Sequence, residues 1–185
     1  LLCHTMKQVF LFSFFVIATI FPLSGCSTVP AQPYPPLETV AAVDVSRYLG
    51  TWYEIARYPH SFEEGCFAVT ARYDLRADGN IDVLNSCRKD SLDGPLHEAR
   101  GVARIVPESE NARLRVSFFR PFYGDYWIIM LDEVGYEYAV VSEPDRQYLW
   151  ILSRKPAMDP ALYNSILAQL KKMNFDLGYL IKTPH

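Results

Sequence analysis

Between Gly50 and Arg154 the chain repeats one pattern: a short run rich in β-branched and aromatic residues, then a cluster of turn formers. The runs fall at 50–57, 66–76, 81–87, 97–106, 112–119, 126–133, 136–142 and 148–154, and segments of this length bounded by Gly, Pro, Asn and Asp read as β-strands. Asp78-Gly79-Asn80, between the second and third, is a strong hairpin turn. The connections are mostly too short for crossovers, so successive strands must be antiparallel neighbours. Eight such strands close naturally into an up-and-down barrel, which removes the sheet edges. One helix follows. Asp159 suits its N-cap and Pro160 its first position, and Leu162, Ile166, Leu170 and Met173, with Leu167 beside them, form an apolar stripe that Asn174 can end. The expected fold is all-β: an eight-stranded antiparallel up-and-down barrel with one C-terminal α-helix packed outside and 175–182 as a last strand.

Alternation assigns faces. In the second strand Phe67, Val69, Ala71, Tyr73 and Leu75 point in, while Cys66, Thr70, Arg72 and Asp74 point out. Ala99, Gly101, Ala103 and Ile105 face in, the small ones among them leaving room for a cavity, and Leu114, Val116 and Phe118 also face in. The last three strands are apolar on both faces, so alternation does not orient them. If Trp52 faces in, so does Glu54, which then needs a partner or a raised pKa. The connections 58–65, 88–96, 120–125 and 143–147 share the open end of the barrel. Phe118, Phe119, Phe122, Tyr123, Tyr126 and Trp127 crowd there. They read as a lid over an acyl chain, as a surface that dips into lipid, or as ordinary loop packing. The candidate ligand contacts are Glu54, Phe67, Val69, Tyr73, Phe118, Tyr126, Trp127, Tyr138 and Trp150. Apolar, aromatic walls with few polar groups suit a fatty acid, a lysophospholipid or a similar chain.

The first residues bear on the compartment. Residues 9–21 are almost unbroken apolar sequence behind Lys7, too short to span a bilayer and the usual length of a signal-peptide core. Met6-Lys7 reads as the translation start, with 1–5, Cys3 included, upstream of it. Leu23-Ser24-Gly25-Cys26 then resembles the lipobox of bacterial lipoproteins, in which small residues fit the peptidase and the thiol accepts a diacylglyceryl group. The bland alternative is an ordinary signal peptide followed by an accidental Cys. Ser27 rather than Asp after the Cys is similar to the pattern that sorts Gram-negative lipoproteins to the outer membrane. The expected division is 1–25 as upstream residues and signal peptide, 26–43 as lipidated Cys and Pro-rich tether, and 44–185 as the domain, placed on the periplasmic side. Pro30, Pro33, Pro35 and Pro36 favour an extended tether of roughly 30 Å.

Removing Lys7 moves the net charge from -3 to -4, and with no basic run in the chain nucleic acid is not an expected partner. No cofactor or metal is called for, and no His/Cys metal spacing or Ser-His-Asp set is evident. Cys66 and Cys87 are left over in an exported chain, which makes a disulfide the default. A two-residue hairpin centred on Asp78-Gly79 would instead set Cys66 opposite Ser91 and Cys87 opposite Thr70, so a bulge or a longer turn is needed to join them.

Gly50-Thr51-Trp52-Tyr53-Glu54-Ile55-Ala56-Arg57 resembles the first lipocalin signature, Gly-x-Trp on the first strand, in the form shared by bacterial lipocalins and apolipoprotein D relatives. Tyr148-Leu149-Trp150-Ile151-Leu152-Ser153-Arg154 resembles the last signature, and Ser142-Glu143-Pro144-Asp145-Arg146 the preceding turn of the bacterial branch. The resemblance spans about 44–181. It implies a lipocalin barrel that binds a hydrophobic ligand, and it supports the Cys66–Cys87 pair. Trp52 and Arg154 fall at the same end of such a barrel, where the guanidinium can lie on the indole and close it; direct contact with ligand is the weaker reading. Two other functions remain: a lipocalin-type isomerase using a barrel thiol, and an envelope partner protein with an incidental cavity. Self-association as a homodimer is left open.

Overall fold

The computed structural model describes residues 34–185; the expectations for the signal peptide, Cys26 and the start of the tether lie outside them. Eight strands, β1 (Gly50–Arg57), β2 (Cys66–Leu75), β3 (Ile81–Lys89), β4 (Leu96–Ile105), β5 (Arg113–Phe119), β6 (Phe122–Leu131), β7 (Tyr138–Ser142) and β8 (Leu149–Ser153), pair antiparallel in chain order. β8 returns to β1, and β1 pairs β2 from Gly50↔Tyr73 to Tyr53↔Thr70, which closes the barrel. The expected loop at 120–125 is mostly strand. β6 starts at Phe122 and pairs with Phe119, leaving a tight tip at Arg120-Pro121.

The two apolar faces of β6–β8 have separate partners. Ile128, Ala139, Val141 and Leu152 point into the barrel and pack with Trp52, Tyr73 and Leu114. Ile129, Val140, Leu149 and Ile151 point outward, where Tyr163, Ile166 and Leu170 of helix α2 (Pro160–Lys172) cover them. The Asp159 carboxylate accepts from the Leu162 amide at 3.0 Å and caps that helix. Trp127 and Tyr138 pack against this outer cluster. Their assignment as ligand contacts is therefore corrected: a strand beneath a helix needs apolar residues on both faces, so hydrophobicity there does not mark the lumen.

Residues 34–43 are not a free tether. Leu37 is buried in the outer cluster, Val40 donates to the Ile128 carbonyl (3.0 Å) and Val43 to Glu110 (2.8 Å), so the packed body begins before the expected boundary at 44. A short helix, α1 (Val45–Tyr48), capped by Asp44, follows. At the other terminus the expected strand over 175–182 shrinks to β9 (Ile181–Lys182). The Asp176 carboxylate accepts from the Gly178 amide at 2.9 Å and bends the chain into a 3₁₀ turn first. β9 pairs with the end of β1, and Pro184 accepts from the Ala68 amide of β2, so the tail fills the gap where β1 and β2 diverge.

One end is sealed. The Arg154 guanidinium lies 3.7 Å from the centre of the Trp52 ring and donates to the carbonyls of Thr51, Arg47, Tyr48 and Tyr136. Trp52 is wholly buried, and its indole N–H donates to the Tyr48 carbonyl at 2.8 Å. A lysine has the charge but neither the planar fork nor the stacking face. Arg154→Lys should therefore lower unfolding stability by about 1–3 kcal/mol, read from urea midpoints.

Candidate functional site

Inside the barrel the lower half is filled. Trp52, Ala103, Ile128, Ala139 and Val141 are fully buried, and Tyr48, Tyr73 and Tyr126 meet above them. The Tyr126 hydroxyl bonds those of Tyr48 (2.8 Å) and Tyr73 (2.9 Å). Burial raises all three pKa values, that of Tyr73 to about 12, so they stay neutral. Three hydroxyls sharing two hydrogen bonds leave one proton free of the cluster.

The upper half is less filled and is the candidate ligand cup. Its inward residues Ala71, Asn85, Ala99, Val116 and Trp150 keep partial exposure. Ala71, Asn85 and Ala99 stand side by side across β2, β3 and β4, with a small side chain on either side of the amide. The Asn85 side-chain oxygen has no partner among the described residues. The room expected at Gly101 is taken, because a Cβ there would come within 2.9 Å of the Phe118 ring. Phe118 lies across that glycine at the rim. Of the expected contacts, Val69, Tyr73, Phe118, Tyr126 and Trp150 thus line the interior or its rim.

Two bulges change what alternation assigned. Ala68, with φ +45°, is an extra residue in β2, so that Phe67 pairs Arg88 on the outer face and Cys66 pairs Lys89 on the inner one. Phe67 is corrected to an outward position. Cys66, expected to face out, faces in beside Cys87, to which it is disulfide-bonded with Cα atoms 5.4 Å apart. The second bulge lies at Ile55 in β1, opposite β8. It returns Arg57 to the inner face, although parity with Trp52 would point it out.

Glu54 therefore has its partner. Arg57 donates to its carboxylate at 3.0 Å, and the Thr183 hydroxyl from the C-terminal tail donates to the same oxygen. The loop after β1 folds Glu63 into this cluster, with Arg57 Nε 3.3 Å from its carboxylate and Arg57 Nη2 donating to its carbonyl at 3.0 Å. Burial, then repulsion from Glu54, pushes Glu63 up to about 9, so it is protonated at neutral pH. His60 stacks on Phe62 with ring centres 3.8 Å apart and lies near Trp150; burial, then Arg57, lowers it to about 4. Arg57, Glu63 and Thr183 carry no periodic signal in the sequence. Only the expected burial of Glu54, which called for a partner or a raised pKa, pointed to this cluster.

A closed antiparallel barrel with one sealed end, a less filled upper half and a loop-ringed mouth is an architecture that can enclose one small ligand. The chain belongs to the lipocalin family: residues 43–185 match the lipocalin-like domain. It is 41% identical over 167 residues to the outer membrane lipoprotein Blc of Vibrio cholerae, covering 90% of this chain and 95% of that protein. The Blc of Escherichia coli K12 is 42% identical over 163 residues, covering 87% and 89%. Mouse apolipoprotein D is 39% identical over 161 residues, covering 82% and 80%. Among solved structures, insecticyanin of the tobacco hornworm shares the fold, with a TM-score of 0.66 at 21% identity over 82% of this chain and 86% of that one.

The buried cluster makes stability depend on pH. Glu63 holds its proton up to about 9 when folded against an ordinary 4.5, so stability falls as pH rises between those values. His60 is depressed from 6.5 to about 4, so its contribution rises with pH over that window. The two slopes oppose each other up to pH 6.5, and above it only the fall due to Glu63 remains. Urea unfolding at pH 6.5, 7.5 and 8.5 should show a loss of up to about 1.4 kcal/mol per pH unit that Glu63→Gln removes. An unchanged slope in E63Q would refute the protonated Glu63.

Proposed function

We propose that this chain is a membrane-anchored carrier that stores or transports a fatty acid, a lysophospholipid or a similar single-chain amphiphile in the upper half of its barrel. The observation that carries the reading is the one-ended interior: partly exposed, small and apolar inner residues at Ala71, Ala99 and Val116 next to a set of fully buried side chains at the sealed end. Val69, Tyr73, Phe118, Tyr126 and Trp150 are the proposed contacts, joined by Ala71, Asn85 and Ala99. Glu54 is proposed to hold Arg57 rather than touch ligand.

The anchor is proposed at Cys26, on the strength of Leu23-Ser24-Gly25-Cys26 and the apolar stretch before it. With relatives named as outer membrane lipoproteins, the site of action is proposed to be the bacterial outer membrane, the domain on its periplasmic side, and the role envelope maintenance. A binding role is preferred to the isomerase reading because that reading needs a free barrel thiol, and Cys66 and Cys87 bond each other. Titration of unfolded, unreduced protein should find neither thiol; finding both would revive the enzyme.

The primary test is native mass spectrometry followed by solvent extraction. A few hundred daltons should leave on denaturation and be recovered as a fatty acid or lysophospholipid. Ala99→Phe, which fills the cup from a half-exposed position, should cut acyl-chain binding about tenfold or more with little change in melting temperature. Protein that is empty as isolated and binds no added acyl chain would sink the carrier reading.

A further inference from the structure

We propose that the mouth of the barrel docks directly on the phospholipid bilayer that holds the anchor, so that ligand passes between membrane and lumen without crossing water. The proposal rests on the reading that Cys26 is lipidated.

Every connection at the rim exposes at least one large apolar side chain. Phe62 on the loop after β1, Leu92 and Leu96 at the β3–β4 connection, Phe119 and Phe122 at the β5–β6 tip, and Tyr148 before β8 are all exposed. Phe119 and Phe122 are 75% and 70% exposed, with their rings parallel and 6.3 Å apart. At the sealed end, Leu75 and Val134 are the exposed large apolar residues among the described residues. Single exposed apolar side chains are ordinary, but a ring of them around one opening marks a surface that meets something apolar. Aromatic side chains are also the ones that settle at a lipid–water boundary.

The exit of the chain selects the membrane as that partner. Arg146, in the turn between β7 and β8 at the mouth, donates to the Pro35 carbonyl at 2.9 Å, and its guanidinium lies 5.9 Å from the Tyr34 ring. From there the chain runs down the outer wall to Val43, beside Glu110 near the floor. The described chain therefore begins beside the mouth. Cys26 precedes Tyr34 by eight residues, a reach of at most about 28 Å. The wall itself is ten residues long in β4, about 33 Å if fully extended. An anchor at Cys26 thus keeps the mouth within about 28 Å of the bilayer, a shorter reach than to the floor. The rim carries both signs of charge, Arg88 and Arg120 against Glu64 and Asp93, so apolar insertion rather than headgroup charge drives the contact.

The experiment uses full-length protein in phosphatidylcholine vesicles whose acyl chains carry bromine, which quenches tryptophan fluorescence at the depth of the chains. Mass spectrometry of the N-terminal peptide reads lipidation separately. Where that peptide is unmodified, a maleimide phospholipid coupled to Cys26 in a Cys3→Ser background supplies the anchor, so docking is tested either way. Phe122→Trp should add emission, over the three native tryptophans, that the vesicles quench about twofold or more, while the emission added by Val134→Trp at the sealed end is spared. Equal quenching at both positions, or none at either, overturns the proposal. Absent quenching together with a dimer that F119S/F122S dissolves would assign the rim to a second copy of the chain instead.

Discussion

The one-ended shape of this barrel depends on the seat of the Arg154 guanidinium, which stacks 3.7 Å from the Trp52 ring centre and bonds four backbone carbonyls. Those carbonyls belong to α1, to the start of β1 and to the turn before β7, segments far apart in sequence that meet at the floor. A planar cation with five donors can satisfy them together while its face covers an indole. Removing it would uncover the indole face and leave the part-buried carbonyls of Tyr48 and Tyr136 without this donor, so the floor would lose more than one contact. With the floor fixed, the tyrosine cluster above it has a rigid base, and the inward residues Ala71, Asn85, Ala99, Val116 and Trp150 keep partial exposure.

Two bulges then decide what the cup contains. A β-strand alternates, so one extra residue reverses the facing of every residue beyond it. The Ile55 bulge brings Arg57 inside to meet Glu54 and Glu63. The Ala68 bulge turns Cys66 in and Phe67 out, which joins the disulfide and clears a bulky ring from the wall. The charges near the mouth are costly to bury, and they persist because each meets a partner: an ion pair, the Thr183 hydroxyl, or a proton kept on Glu63. The C-terminal tail is part of this arrangement, since it supplies Thr183 and fills the gap between β1 and β2.

Much of this architecture was legible in the chain. The spacing of apolar runs and turns fixes the number of strands and, with short connections, their order, because neighbours in sequence have no room to be anything but neighbours in the sheet. The Asp159-Pro160 start and the 3.6-residue stripe fix the helix. Gly50-Thr51-Trp52 and the terminal Arg154 locate one end of the barrel, and with it the opposite end where the mouth loops gather. These are local or periodic signals, and each residue carries its share of them independently of distant contacts.

Other features arise only where distant segments meet. Trp127 and Tyr138 are as hydrophobic as true lumen residues, and the helix packed behind them decides that they face outward. Phe67, Cys66 and Arg57 take their sides from bulges, whose positions follow from strand pairing rather than from the residues flanking them. Gly101 gains no cavity because Phe118 from the next strand occupies it. The sequence therefore sets the pattern of each strand, since alternation and turn chemistry are properties of short segments. Which face meets the ligand depends on register and on what covers the other side, and those are set by contacts between segments tens of residues apart.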